Sequence, residues 1–131
     1  TGMSNGGLLT GMILASRASS LAAAAPLSGG MSVAFADDHE PIPSLVVWGG
    51  PTDSAYEQDF DRLAMTMIDD LLDEGHFVVA CNHGEGHEVP AGGWEWTFDF
   101  LLAHDQSLEA SPFESGLPQA FPEYCVIESE A

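Results

Sequence analysis

Residues 2–6 read Gly2-Met3-Ser4-Asn5-Gly6, and the reading of this stretch decides the fold. It matches G-x-S-x-G, the nucleophile elbow, in which a serine stands at the tip of a sharp strand-to-helix turn. Side chains at Gly2 and Gly6 would collide as the backbone doubles back, so glycine is expected at both. The turn would present the Ser4 hydroxyl at a helix N-terminus and aim the Asn5 N–H at a developing oxyanion. A serine–glycine turn that only caps a helix has the same local sequence, so the partners matter. Asp53 follows the apolar run Ser44–Trp48, and His87 lies in a glycine-rich loop after Phe77–Cys81. The order Ser, Asp, His differs from the two other common triad orders, His-Asp-Ser and Asp-His-Ser.

Working outward, Asn5 to about Ser19 has Leu8, Leu9, Met12 and Ile13 at helical spacing, which predicts a helix. Gly6 and Gly7 would let it lie close to a sheet. Leu21–Leu27 is expected as a short strand ended by Ser28-Gly29-Gly30, and residues 31–43 as a surface loop. Ser44–Trp48 is short, β-rich and stopped by Gly49-Gly50-Pro51. Tyr56, Phe60, Leu63, Ala64, Met67, Ile68, Leu71 and Leu72 form one helical stripe. Ser54 and Glu57 have capping-box spacing at its start, and Gly75 fits its C-terminal stop. Phe77–Cys81 reads as the next strand, 82–93 as a loop and Trp94–His104 as a last helix. Residues 106–131 contain prolines and are expected to be irregular, with Phe113, Phe121 and Tyr124 packing back on the body. Strands alternating with helices predict a parallel sheet with flanking helices.

Each candidate has rivals. Asp53 would accept the imidazole N–H and stabilise the imidazolium, but an aspartate beside Ser54 also suits a helix cap. Asp59 and Asp61 look like exposed helix positions. His87 is favoured as the general base; His83, nearer the strand end, competes. Cys81, His83, Glu85 and His87 lie close enough to raise a zinc site, though the spacing fits no common zinc pattern. His39, His76 and His104 carry no partner pattern and are expected at the surface or boundary. Trp94 and Trp96 are expected to pack in the core at a helix start. Cys81 and Cys125 are either a disulfide or two buried thiols.

Composition narrows the partners. The chain has 131 residues, enough for one core. Two basic residues, Arg17 and Arg62, face 21 acids, for a formal charge of −19. That charge excludes nucleic acid and anionic membranes as partners. The acids are scattered, which fits either a highly solvated surface or adaptation to high salt, where screening relieves self-repulsion. No run approaches the roughly 20 apolar residues of a membrane span.

Three segments carry a family resemblance. Gly-Met-Ser-Asn-Gly-Gly at 2–7, Ala-Pro-Leu-Ser-Gly-Gly at 25–30 and Gly-Glu-Gly-His-Glu-Val-Pro at 84–90 resemble the extracellular polyhydroxybutyrate depolymerase and feruloyl esterase group of α/β-hydrolases. The likeness runs to about His104. It implies Ser4 as nucleophile, His87 as base and an acid after the penultimate strand, which lands on Asp53. The acid loop Trp48-Gly-Gly-Pro-Thr-Asp53 is longer than the His-Gly-Thr-x-Asp common in that group. The expectation is a partial catalytic domain over 1–131, the C-terminal part of an α/β-hydrolase fold with its front half missing. Such a piece would expose a sheet edge, aggregate and turn over little. The expected activity is ester hydrolysis by Ser4, Asp53 and His87, with Asn5 in the oxyanion hole, no cofactor, and a secreted or periplasmic location. The competing readings are a non-catalytic binding protein of the same fold and a zinc-dependent hydrolase.

Overall fold

The computed structural model of the chain describes residues 1–129. It is a mixed α/β fold with a five-stranded, mostly parallel sheet flanked by helices on both faces. The elements that build it are β1 (Gly2–Met3), α1 (Asn5–Arg17), β2 (Pro26–Leu27), β3 (Ser44–Trp48), a hairpin of β4 (Ser54–Ala55) and β5 (Gln58–Asp59), α2 (Phe60–Asp73), β6 (Val78–Asn82), α3 (Gly93–Leu102) and β7 (Cys125–Glu128). The strand order is β1-β2-β3-β6-β7. The first four run parallel, and β7 closes the far edge antiparallel to β6.

All five residues of β3 are buried, as expected of a strand covered on both faces. Its side chains alternate between two cores. Val46 and Trp48 join Leu14, Ala64, Met67 and Leu71 under α1 and α2. Leu45 and Val47 join Trp96, Phe100, Phe113 and Phe121 under α3 and the tail. The tail thus packs back as the sequence suggests, and Trp96 is buried. Trp94, at the start of α3, stays 39% exposed, against the expectation of core packing.

Four local expectations change. β2 pairs only over Pro26–Leu27, with an isolated bridge at Ala24, because the preceding alanines approach β3 without joining the ladder. The helix α2 is not capped by Ser54 and Glu57. Those residues belong to the β4–β5 hairpin, and Asp59 is the cap, its carboxylate accepting the Arg62 N–H at 3.0 Å. Tyr56 therefore leaves the helical stripe for the hairpin turn and is 88% exposed. At the other end Gly75 (φ +81°) does stop α2: its N–H donates to Leu72 O and that of His76 to Leu71 O, the Schellman pairing. The tail, expected to be irregular, is so only until β7; positions 130 and 131 lie outside the described residues. His76 and His104 are buried, not surface, residues. Backbone partners, Ile42 for the first and Phe100 for the second, satisfy their Nδ1 atoms.

Cys81 and Cys125, opposite one another on β6 and β7, are disulfide-bonded. At the other edge β1 pairs only with β2 among the described residues, and α1 leaves Leu9, Met12 and Ile13 exposed beside it. No described helix is long and apolar enough to cross a membrane.

Candidate active site

Four parallel strands end on the same side of the sheet, and each is followed by a polar residue of the site. Ser4 follows β1, Ser28 follows β2, Asp53 lies beyond β3 and His87 beyond β6. Open parallel sheets gather their chemistry at these carboxyl ends.

Ser4 sits between β1 and α1 with φ +59° and ψ −116°, a conformation that costs a non-glycine residue on the order of 1–3 kcal/mol. A Cβ on Gly2 would lie 2.7 Å from the Gly6 carbonyl group, so glycine is required at position 2. The expected collision at Gly6 does not occur, since a Cβ there meets nothing within 4 Å. Close approach to the sheet falls instead on Gly7, where a Cβ would strike the Leu27 carbonyl oxygen. Among the described residues no acceptor takes the Asn5 N–H, which stands free at the start of α1.

The three sequence candidates come together. Ser4 Oγ lies 2.9 Å from His87 Nε2, and His87 Nδ1 lies 2.7 Å from Asp53 Oδ1. With a carboxylate facing it, Nδ1 carries the ring proton, so Nε2 is the acceptor and Ser4 Oγ–H donates to it. Asp53 is fully buried. Its other oxygen, Oδ2, accepts from Ser28 Oγ at 2.7 Å and from the Gly49 N–H at 2.8 Å. Phe60 stacks on the His87 ring at 4.6 Å between centroids, covering one face.

The rivals are occupied elsewhere. His83 Nδ1 accepts the Glu85 N–H at 3.2 Å, and its backbone N–H donates to Trp48 O at 3.0 Å. Burial holds this imidazole below its ordinary protonation range, against the pull of Glu85, Asp53 and Glu88. It does not reach Ser4. Asp59 caps α2, and Asp61 accepts the Trp48 indole N–H at 2.8 Å. Cys81 is committed to its disulfide. No three described His, Cys, Asp or Glu residues are placed to hold a metal ion.

Sequence reasoning missed Ser28. Its hydroxyl meets a carboxylate 25 residues away, and no local motif announces such a contact. The signals were its position after a strand and its place in the 25–30 segment that carries the resemblance.

A cavity of about 510 Å³ opens at the opposite, amino end of the strands, lined by Ile42, Pro43, Phe77, His104 and Ser111 among others. No site residue lines it.

No family model matches this chain, and no curated protein or solved structure matches it either.

Proposed function

We propose that this chain is a serine hydrolase of carboxylic esters, built on an α/β-hydrolase-type sheet. The observation that carries the reading is the continuous hydrogen-bonded chain Ser4 Oγ–His87 Nε2, His87 Nδ1–Asp53 Oδ1. Its serine stands on a strained turn at a helix N-terminus. Distance alone would be weak support, but these features together are what nucleophilic catalysis needs.

In the first half-reaction Ser4 Oγ attacks the ester carbonyl carbon while His87 Nε2 takes its proton. Asp53 holds the resulting imidazolium and fixes the tautomer. The carbonyl oxygen, now an oxyanion, turns towards the Asn5 N–H; one such donor contributes about 10²–10³-fold to rate. Collapse expels the alcohol, which takes the proton back from His87, leaving an acyl-serine. Water, deprotonated by the same nitrogen, then releases the acid and restores Ser4.

Polyhydroxyalkanoates, feruloylated or acetylated polysaccharides and small esters are the substrate classes that the sequence resemblance supports. The Cys81–Cys125 disulfide favours an oxidising compartment, secreted or periplasmic.

The test is a burst assay with p-nitrophenyl butyrate. The expected result is up to one equivalent of p-nitrophenol per chain, followed by slow turnover, with both phases absent in Ser4→Ala. Equal release by wild type and Ser4→Ala would overturn the proposal.

A further inference from the structure

We infer that Ser28 is a positioning residue of this site: its hydroxyl clamps Asp53 and so fixes the acid relative to the nucleophile. The inference rests on the proposed hydrolase reading and extends it to a residue outside the triad.

Three observations carry it. First, the hydroxyl is buried, as is the carboxylate it meets, and the bond is 2.7 Å. Asp53 has no solvent to orient it, so its plane is set by donors alone. Ser28 Oγ and the Gly49 N–H both fall on Oδ2, which turns Oδ1 towards His87. A carboxylate held by one backbone N–H could pivot about that contact; two donors from different strands' ends prevent it. Second, Ser28 holds φ +42°, in the left-handed region where glycine is at ease and serine is not. The two residues after it are glycines, yet the strained position itself keeps a side chain. The bond to Asp53 accounts for that side chain. Third, the same short stretch touches the nucleophile. Leu27 O accepts the Ser4 N–H at 3.0 Å, and the Ser28 N–H donates to Val47 O at 2.8 Å. Next along, Gly29 packs directly on Gly7 of α1. One turn at the end of β2 therefore grips the Ser4 elbow, the helix behind it and the acid. The Ser4–Asp53 spacing is set through Leu27–Ser28, independently of the His87 loop.

The test compares wild type, Ser28→Ala and Ser28→Gly. Glycine relieves the strained φ and alanine does not, but both delete the donor. A role confined to backbone structure predicts that the glycine variant behaves as wild type. The positioning role predicts that both variants lose labelling by a fluorophosphonate at Ser4 by roughly tenfold to a hundredfold, the scale of a slightly misplaced catalytic group. A second readout needs no chemistry: the His87 Nδ1–H proton resonance, which reports the bond to Asp53. It is expected to shift or broaden in both variants while thermal melting shows them folded. An unchanged resonance and labelling rate in folded Ser28→Gly would overturn the inference and leave the hydrolase reading intact. A folded wild type that takes no label, with a resonance that still responds to Ser28, would overturn the hydrolase reading and support the clamp.

Discussion

Two serine–histidine pairs stand among the described residues, one at each end of the sheet, and they make nearly the same contact. Ser4 Oγ is 2.9 Å from His87 Nε2; Ser111 Oγ is 2.8 Å from His104 Nε2. What surrounds them differs. His87 Nδ1 faces the carboxylate of Asp53, whereas His104 Nδ1 donates to the carbonyl of Phe100 at 2.7 Å. A carbonyl fixes the tautomer equally well but offers no negative charge to balance an imidazolium. Ser4 is partly exposed on a strained turn beside the free Asn5 N–H. Ser111 is buried and accepts the Phe113 N–H, so its oxygen is committed to holding the tail. On the proposed reading, a hydrogen-bonded serine and histidine become a reactive pair only with charge behind the ring, access in front of the oxygen and a donor for the oxyanion. The same contact without these is a structural cap.

The contrast can be broken or sharpened by substitution. The largest effect is expected for Ser4→Ala and His87→Ala, which should abolish fluorophosphonate labelling within detection. Asp53→Asn should follow, with a loss of about 10⁴-fold if the carboxylate's charge and tautomer control matter as argued. A loss under tenfold would make the two pairs chemically alike and remove the basis of the comparison. Reducing the disulfide touches both ends, since β6 leads to the His87 loop and the tail carrying Ser111 leads to Cys125. Closing a 44-residue separation is worth about 4 kcal/mol on the chain-entropy model. Urea unfolding with and without reductant measures it.

Ser111→Ala should cost about 1–3 kcal/mol of stability by leaving His104 Nε2 and the Phe113 N–H without their partner. Its labelling at Ser4 should match wild type. The smallest effect concerns pH. His76 is held below its ordinary value of 6.5 by burial, helped by neighbouring His39 and opposed by the Ile42 carbonyl and Glu74. Its folded form binds protons less readily than its unfolded form. The stability it contributes is therefore complete above about pH 6.5 and is lost as pH falls through the lowered value. The melting temperature should drop on acidification below pH 6.5, and less so in His76→Gln.

Much of the frame was legible in the sequence because its signals are local. Ser44–Trp48 is β-rich and stopped by glycines, and the Ser4 turn carries its own motif. The three candidate residues were picked out by chain order and strand-end position, and the structure brings them within hydrogen-bonding distance. Long-range partners were harder to see. The β4–β5 hairpin turns at Tyr56 and Glu57, both at positive φ, without the glycine or asparagine that signals such a turn. The helix cap was consequently read five residues early, at Ser54 instead of Asp59. The strand β7 is hidden in a tail whose prolines argue for loop, and its pairing is fixed by a cysteine partner far upstream. His76 and His104 defaulted to the surface or boundary because burial of a polar ring depends on backbone groups that no spacing reveals. For Ser28 the stretch after β2 was legible, but its contact with Asp53, 25 residues on, was not.

The surface carries the remaining lesson. Asp69, Asp70, Asp73 and Glu74 cluster at the C-terminal end of α2, where the helix dipole disfavours negative charge. Burial and these neighbours raise the Asp70 carboxyl above its ordinary range. Salt should screen this repulsion, so added salt is expected to raise the melting temperature.

The most direct test of the central claim is fluorophosphonate labelling of the folded chain, with the adduct mapped by mass spectrometry in wild type and His87→Ala. One adduct, on Ser4 and lost in the variant, is the predicted result. No adduct on folded protein, or an adduct on Ser111, would contradict it.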